Sequence, residues 1–174
     1  MSPTRGGATR EIPLAYPPSE AYRDVMSVDI KPVPKWLKYF NKMVIGGHKV
    51  GLKLPMVVLT VPGAKSGKPR STPITPFTLD GQRYAVGGVP GSAWITNARK
   101  AKEGTLTQGR PTQQVRIVEL SPEDSRPVLR AFPVKVPTGV GFIRNAGLVK
   151  KGTPDEFEAL AGIAAVFRFD PSER

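Results

Sequence analysis

The sequence predicts a mainly β fold: a small antiparallel barrel with peripheral helices. Short apolar, β-branched runs are separated by turn signals, as in a sheet built from hairpins. Asp80-Gly81 is such a signal, falling between two of these runs. Helical patterns are few and short, and two of them open on clear capping sequences. No internal repeat is present.

Residues 1–34 carry Pro3, Pro13, Pro17, Pro18, Pro32 and Pro34 without hydrophobic periodicity. They read as an extended, partly disordered arm that packs through Tyr16 and Tyr22. The remainder, 35–174, reads as one domain. In 35–45, Trp36, Phe40, Met43 and Val44 recur at helical spacing with Lys35, Lys38 and Lys42 between them. A surface helix packed on the core is the preferred reading. A weak peripheral contact of its aromatic face with anionic lipid is the second. Gly46 and Gly47 are expected to stop it.

The run 56–61 is a buried strand. A basic loop follows, then 71–79, where Pro73 and Pro76 suit only an edge or bulged strand. After the Asp80-Gly81 turn, 82–86 is the return strand and 87–92 a glycine-rich loop. A helix with Trp94, Arg99, Lys100 and Lys102 spans 93–102. Strands at 105–107 and 113–120 turn near Gly109-Arg110-Pro111. Ser121-Pro122-Glu123-Asp124 offers a cap, a first-turn proline and acids at the dipole's positive end, starting a helix to about Phe132. The segment 134–151, with Gly139, Gly141 and Gly147, is expected to be a loop that shapes an apolar pocket or lid with Phe142 and Ile143. Thr153-Pro154-Asp155-Glu156 starts a second capped helix, to about Ala161, and 163–169 is a closing strand.

The chain has 174 residues, 26 Lys+Arg against 14 Asp+Glu, and a formal charge of +12. Such an excess calls for an anionic partner: a phosphate-bearing cofactor, nucleic acid or an anionic surface. Cysteine is absent, and histidine occurs once, as His48 between glycines and a lysine. Thiol catalysis, disulfides and a Cys/His metal site are excluded, and no metal is expected. His48 reads as a loop residue, since a histidine base needs an orienting partner. No apolar run approaches the ~20 residues that span a bilayer, and the N-terminus lacks a signal-peptide core. A cytoplasmic protein is expected. Nucleic acid is not expected as a partner, because aromatic residues are 7% and no recognition helix or RNA-binding signature appears.

The most informative stretch is 59–73, L-T-V-P-G-A-K-S-G-K-P-R-S-T-P. It sets Lys65, Lys68 and Arg70 around Gly63 and Gly67 directly after a strand. Glycine lets backbone N–H groups approach a ligand, lysine supplies mobile charge, and arginine a fork that fits phosphate oxygens. A plain basic hairpin is the competing reading. The loop is not a Walker A motif: only three residues separate Gly63 from Gly67, and Pro69 stands where the magnesium-binding hydroxyl would be. Gly87, Gly88 and Gly91 lack Rossmann spacing and a ribose-binding acid.

Leu59-Thr60, Gly63, Lys65-Ser66-Gly67, Pro69-Arg70 and Pro73 resemble the LTTxGRKSGxPRxxPL signature of deazaflavin-dependent nitroreductases. These are the flavin/deazaflavin oxidoreductases of actinobacteria, split β-barrels related to pyridoxamine-phosphate oxidases. Asp80-Gly81-Gln82-Arg83-Tyr84 is similar to the family's DGDRYVV hairpin. Trp94, Asn97 and Arg99 are similar to its PxWxxNLRA helix, and Val166-Phe167-Arg168-Phe169 to its PVFRL strand. The likeness covers about 35–170.

This resemblance implies F420, a deazaflavin with a phosphate and an anionic oligoglutamate tail; FMN is the alternative in the same fold. Lys65 and Arg70 fall on phosphate- and tail-binding cations, with Ser66, Gly67, Lys68 and Pro69 completing the cradle. Thr72, Pro73 and Ile74 fall on the strand beside the ring, where backbone groups can bond its carbonyls. Trp94 and Asn97 fall on positions lining the cofactor. The implied activity is hydride transfer from reduced F420 to a small electron-poor acceptor: a quinone, an activated enone or a nitro compound. A non-catalytic carrier of lipid or an anionic metabolite is the rival outside enzymology. No catalytic side chain is identified. Two departures stand out: Ala64 replaces the arginine before Lys-Ser-Gly, and the 86–94 loop is short. Tyr16, Tyr22, Tyr39 and Tyr84 all lie in the first half, so the late tyrosines of nitroimidazole-reducing relatives have no counterpart.

Overall fold

A computed structural model describes residues 42, 43, 45–47 and 56–172. The arm 1–34, Trp36 and most of the 35–45 helix lie outside the described residues. Gly46 and Gly47 are themselves helical, so the helix expected to stop at them runs through both.

Seven strands form one antiparallel sheet: β1 Val57–Pro62, β2 Pro69–Ile74, β3 Phe77–Leu79, β4 Gln82–Gly87, β5 Glu103–Thr107, β6 Thr112–Glu119 and β7 Ala165–Pro171. Their spatial order is β2-β1-β5-β6-β7-β4-β3. The segment 71–79 is thus two strands, and they occupy opposite edges of the sheet. Only Thr75 and Pro76 join them. Three Cα steps span at most about 11 Å, so the sheet must curl until its outer edges meet at that end. This is a half-barrel, with the prolines of 69–76 on edges, where a missing N–H costs no ladder bond.

Strand alternation sorts the core into two layers. Ala165, Phe167 and Phe169 of β7 face one side with Leu59, Ile74, Ala85 and Ile117. Val166 faces the other, beneath Val128, Leu129, Phe132 and Phe157. Helix α1 (Ala93–Ala101) buries Ile95 and Ala98 against the first of these layers.

The remaining helices cover the outer layer: α2 Pro122–Lys135, α3 Pro137–Asn145 and α4 Pro154–Glu158. Ser121 caps α2 by accepting from the Asp124 N–H, and Thr153 with Glu156 forms a full capping box on α4. The 134–151 segment, expected as a loop, holds the whole of α3. Its glycines misled in part because one is a packing choice: a Cβ on Gly139 would sit 2.6 Å from the Phe132 ring. Ile143 is buried and Phe142 exposed, so only one of the two proposed pocket residues faces outward.

Candidate functional site: a cationic hairpin locked to a helix

The β1–β2 connection is a compact loop. Gly63 donates its N–H to the Lys68 carbonyl at 2.9 Å, and Gly67 donates to the Gly63 carbonyl at 2.8 Å. Gly67 has φ +66, a left-handed conformation that favours glycine. Ser66 turns inward, its Oγ accepting from the Lys68 N–H at 3.4 Å. A Cβ at Gly63 would lie 2.9 Å from that Oγ and 3.2 Å from Arg70 Cγ. The arginine stem therefore lies over Gly63, and its head is left to solvent. Lys65, Ser66, Gly67, Lys68, Pro69 and Arg70 are all exposed. Among the described residues none of Lys65, Lys68 and Arg70 pairs with a carboxylate.

Pairing register decides what β2 offers a ligand. Gly63 bonds Lys68, and bonded pairs alternate along an antiparallel ladder. Val61↔Arg70, Leu59↔Thr72 and Val57↔Ile74 are therefore the bonded pairs. Backbone groups of Arg70, Thr72 and Ile74 are spent on β1. The outer edge presents the carbonyls of Pro69, Ser71 and Pro73, and a single N–H, that of Ser71. Because cross-strand partners share a face, Arg70 and Thr72 project to the side of the sheet that carries Leu59 and α1. Ile74 lies on that side too, but buried in the core. Ser71 faces the opposite side, where its Oγ lies 2.8 Å from Thr60 Oγ1.

The W-x-x-N-x-R pattern of α1 performs three locking tasks. Trp94 is half-buried with its ring centroid 5.5 Å from that of Phe167. Arg99 grips Glu119 of β6, its Nε donating at 3.0 and 2.8 Å to the two carboxylate oxygens and its Nη2 at 2.6 Å. Both side chains are largely buried, which favours such a forked pair. Asn97 reaches across to the hairpin, its Oδ1 accepting from the Ala64 N–H at 2.8 Å. Lys100, one turn further along, donates from Nζ to the Ala64 carbonyl at 2.6 Å. Both backbone groups of Ala64 are thus held by α1.

The hairpin and α1 are therefore brought together at Ala64. Trp94 packs as a core anchor, and Asn97 works as a clamp on the loop. Sequence reading did not foresee that Lys100 meets the Ala64 carbonyl or that β2 leaves the Ser71 N–H on its outer edge. The i,i+3 spacing of Asn97 and Lys100 put them on one helix face, but only the fold shows that this face meets Ala64. No cluster of three or more metal-ligating side chains occurs among the described residues.

A curled antiparallel sheet of seven strands, with an exposed cationic hairpin joining β1 to its edge strand β2, defines a split β-barrel. Residues 38–141 match the F420H(2)-dependent quinone reductase family, and the chain belongs to that family. It is an F420-dependent reductase, with F420 as cofactor and a small molecule as acceptor. No curated protein matches the chain significantly.

Among solved structures, a protein described as a domain-swapped dimer is 19% identical, covering 78% of this chain and 97% of its own, with TM-score 0.50. An F420-H2 dependent reductase, FDR-A, is 21% identical over 68% of this chain and 96% of its own, with TM-score 0.49. A protein of the pyridoxinephosphate oxidase family from Clostridium acetobutylicum, related to general stress protein 26, is 11% identical. It covers 75% of this chain and 84% of its own, with TM-score 0.45.

Proposed function

We propose that the chain reduces a quinone-class acceptor, with the β1–β2 hairpin holding the anionic part of F420. The observation that carries this reading is the set of cations without a carboxylate partner among the described residues, on a hairpin fixed to α1, in a chain of the F420H(2)-dependent quinone reductase family. The residues fit the group: exposed Lys65, Lys68 and Arg70 match phosphate and carboxylate oxygens. Ser66, Gly67 and Pro69 shape the loop between them.

Thr72, Pro73 and Ile74 would run alongside the ring. Of these, Thr72 offers its side chain and Pro73 its carbonyl, while the backbone donor in this strand is the Ser71 N–H. Trp94 and Asn97 would support the site from α1. When bound, reduced F420 supplies a hydride and, in balance, a proton, so that a quinone leaves as hydroquinone. The hairpin's part is to fix that donor's position, which by itself contributes through effective molarity. Tyr84 belongs to the helix-covered layer, opposite α1, so it is not placed to donate a proton. Water then carries the proton exchange.

FMN would meet the same cations with its phosphate, and activated enones or nitro compounds are further acceptors of hydride. A carrier of lipid or an anionic metabolite would bind without turnover. Contact of the Trp36 segment with an anionic membrane, which would bring a lipid-soluble quinone within reach, is part of this proposal and rests on the sequence pattern alone. The test mixes the protein with reduced F420 and a panel of quinones, enones and nitroaromatics and follows cofactor oxidation, with FMN affinity measured in parallel. Fastest turnover with quinones is expected. Binding of F420 with no acceptor-dependent oxidation by any quinone overturns the quinone reading.

A further inference from the structure

Helix α1 approaches the hairpin with two side chains, and they are not equivalent. Asn97 answers the Ala64 N–H with a neutral amide oxygen. Lys100 answers the Ala64 carbonyl with an ammonium, 2.6 Å away. We propose that Lys100 is a direct ligand of the cofactor's anionic portion, a fourth cation delivered by the helix where the hairpin itself has Ala64. The inference rests on the reading of the hairpin as the anion site.

An ammonium has three N–H groups, and the Ala64 carbonyl takes one. The other two have no partner among the described residues, on an exposed side chain. Among the described residues Lys100 has no carboxylate partner. Its position next to the Helix C-terminus is favourable for any cation, but that would be met by a side chain extended into water. Here it is bent onto the loop, beside the backbone of Lys65. A lysine normally loses much rotamer freedom when it grips a ligand. The tether to Ala64 has already removed part of that freedom, so the charge is in place before the ligand arrives. A helical lysine also restores cationic charge at the position where the chain carries alanine.

The rival is a purely mechanical role, with Lys100 as a second clamp beside Asn97. Lys100→Gln separates the two, since an amide still donates to the Ala64 carbonyl but carries no charge. Binding is read by fluorescence titration of oxidised F420 at low and high salt, against Lys100→Arg, Asn97→Ala and wild type, with thermal unfolding as the fold check. Lys100→Gln should weaken F420 about tenfold at low salt, the effect of one charge-assisted hydrogen bond. The gap should narrow at high salt, and Lys100→Arg should recover most of the affinity.

A deazaflavin lacking the oligoglutamate tail identifies the oxygen source. If the loss persists with it, Lys100 reads the phosphate; if it vanishes, the tail. Equal affinity of Lys100→Gln and wild type for the tailed cofactor overturns the proposal and leaves the hairpin site standing. So does a loss that is independent of salt and equal to that of Asn97→Ala. Failure of wild type itself to bind F420 overturns both.

Discussion

Ala64 is the least chemically equipped residue of the hairpin, yet its two backbone groups are where helix and loop are joined. The cations around it divide by attachment. Lys65 and Lys68 ride on the loop, Arg70 lies across Gly63, and each leaves its head in solvent. Lys65→Ala and Arg70→Ala should therefore each weaken F420 by about 1–3 kcal/mol, the range for hydrogen bonds to charged groups. Thermal midpoints should stay within about 2 °C of wild type, because exposed cations add little stability. Calorimetric titration and thermal unfolding of the same samples check both halves, and unchanged affinity in the double variant removes the hairpin from the site. The residue types and spacing of this loop were legible in the sequence, since charge and glycine are local properties. What Asn97 and Lys100 touch was not, because contacts across 33 and 36 residues depend on where α1 lands.

At the level of elements, α3 shows what local patterns conceal. Glycines at 139, 141 and 147 argue against a helix by propensity, each costing about 1 kcal/mol relative to alanine inside one. Packing overrides that cost. Ile143 inserts over Gly88, where a Cβ would fall 2.5 Å from its Cγ1, and Gly139 makes room for Phe132. Gly87 next door does the same for Ile95 and Trp94. The glycine pair is thus the seat shared by α1 and α3, and the short 86–94 loop suits it. Gly88→Ala should destabilise by about 1–3 kcal/mol through overpacking. Adding Ile143→Ala should make the pair less destabilised than the sum of the singles, because the new methyl occupies space the isoleucine vacates. Urea unfolding of the double-mutant cycle measures this, and strict additivity would mean that the two positions do not share one space. Glycines used for close approach and glycines used for freedom look alike in one sequence, which is why 134–151 resembled a loop.

For the molecule as a whole, charge is the dominant property, with 26 Lys+Arg against 14 Asp+Glu. Asp170 holds Arg168 at 2.8 and 3.0 Å and Arg116 at 3.2 Å, tying the end of β7 to β6. The Arg168 hydrogen bond, with help from Arg116, keeps its carboxyl below the ordinary value against the opposing effect of burial. Burial would raise the Glu156 carboxyl, but N–H donors from Thr153, Gly152, Lys151 and Lys150 together hold it low. A depressed carboxyl contributes its stability in full above the unfolded-state value, near pH 4, and loses it as pH falls through the folded-state value. Asp170→Asn should thus lower the urea midpoint at pH 7 and lose that difference as pH drops toward 2. A constant difference across that range would show that the Asp170 carboxylate charge is not what matters.

The mainly β barrel and the positions of most strands followed from turn signals and β-branched runs. The spatial order of the strands did not, since nothing local in 71–79 says that its two halves lie on opposite margins of the sheet. That stitch at Thr75 and Pro76 has a mechanical consequence. The two outermost strands are tied together at Ile74 and Phe77 and are not paired with each other along their length toward Pro69 and the hairpin. The cation-bearing end of β2 is therefore the end farthest from the stitch.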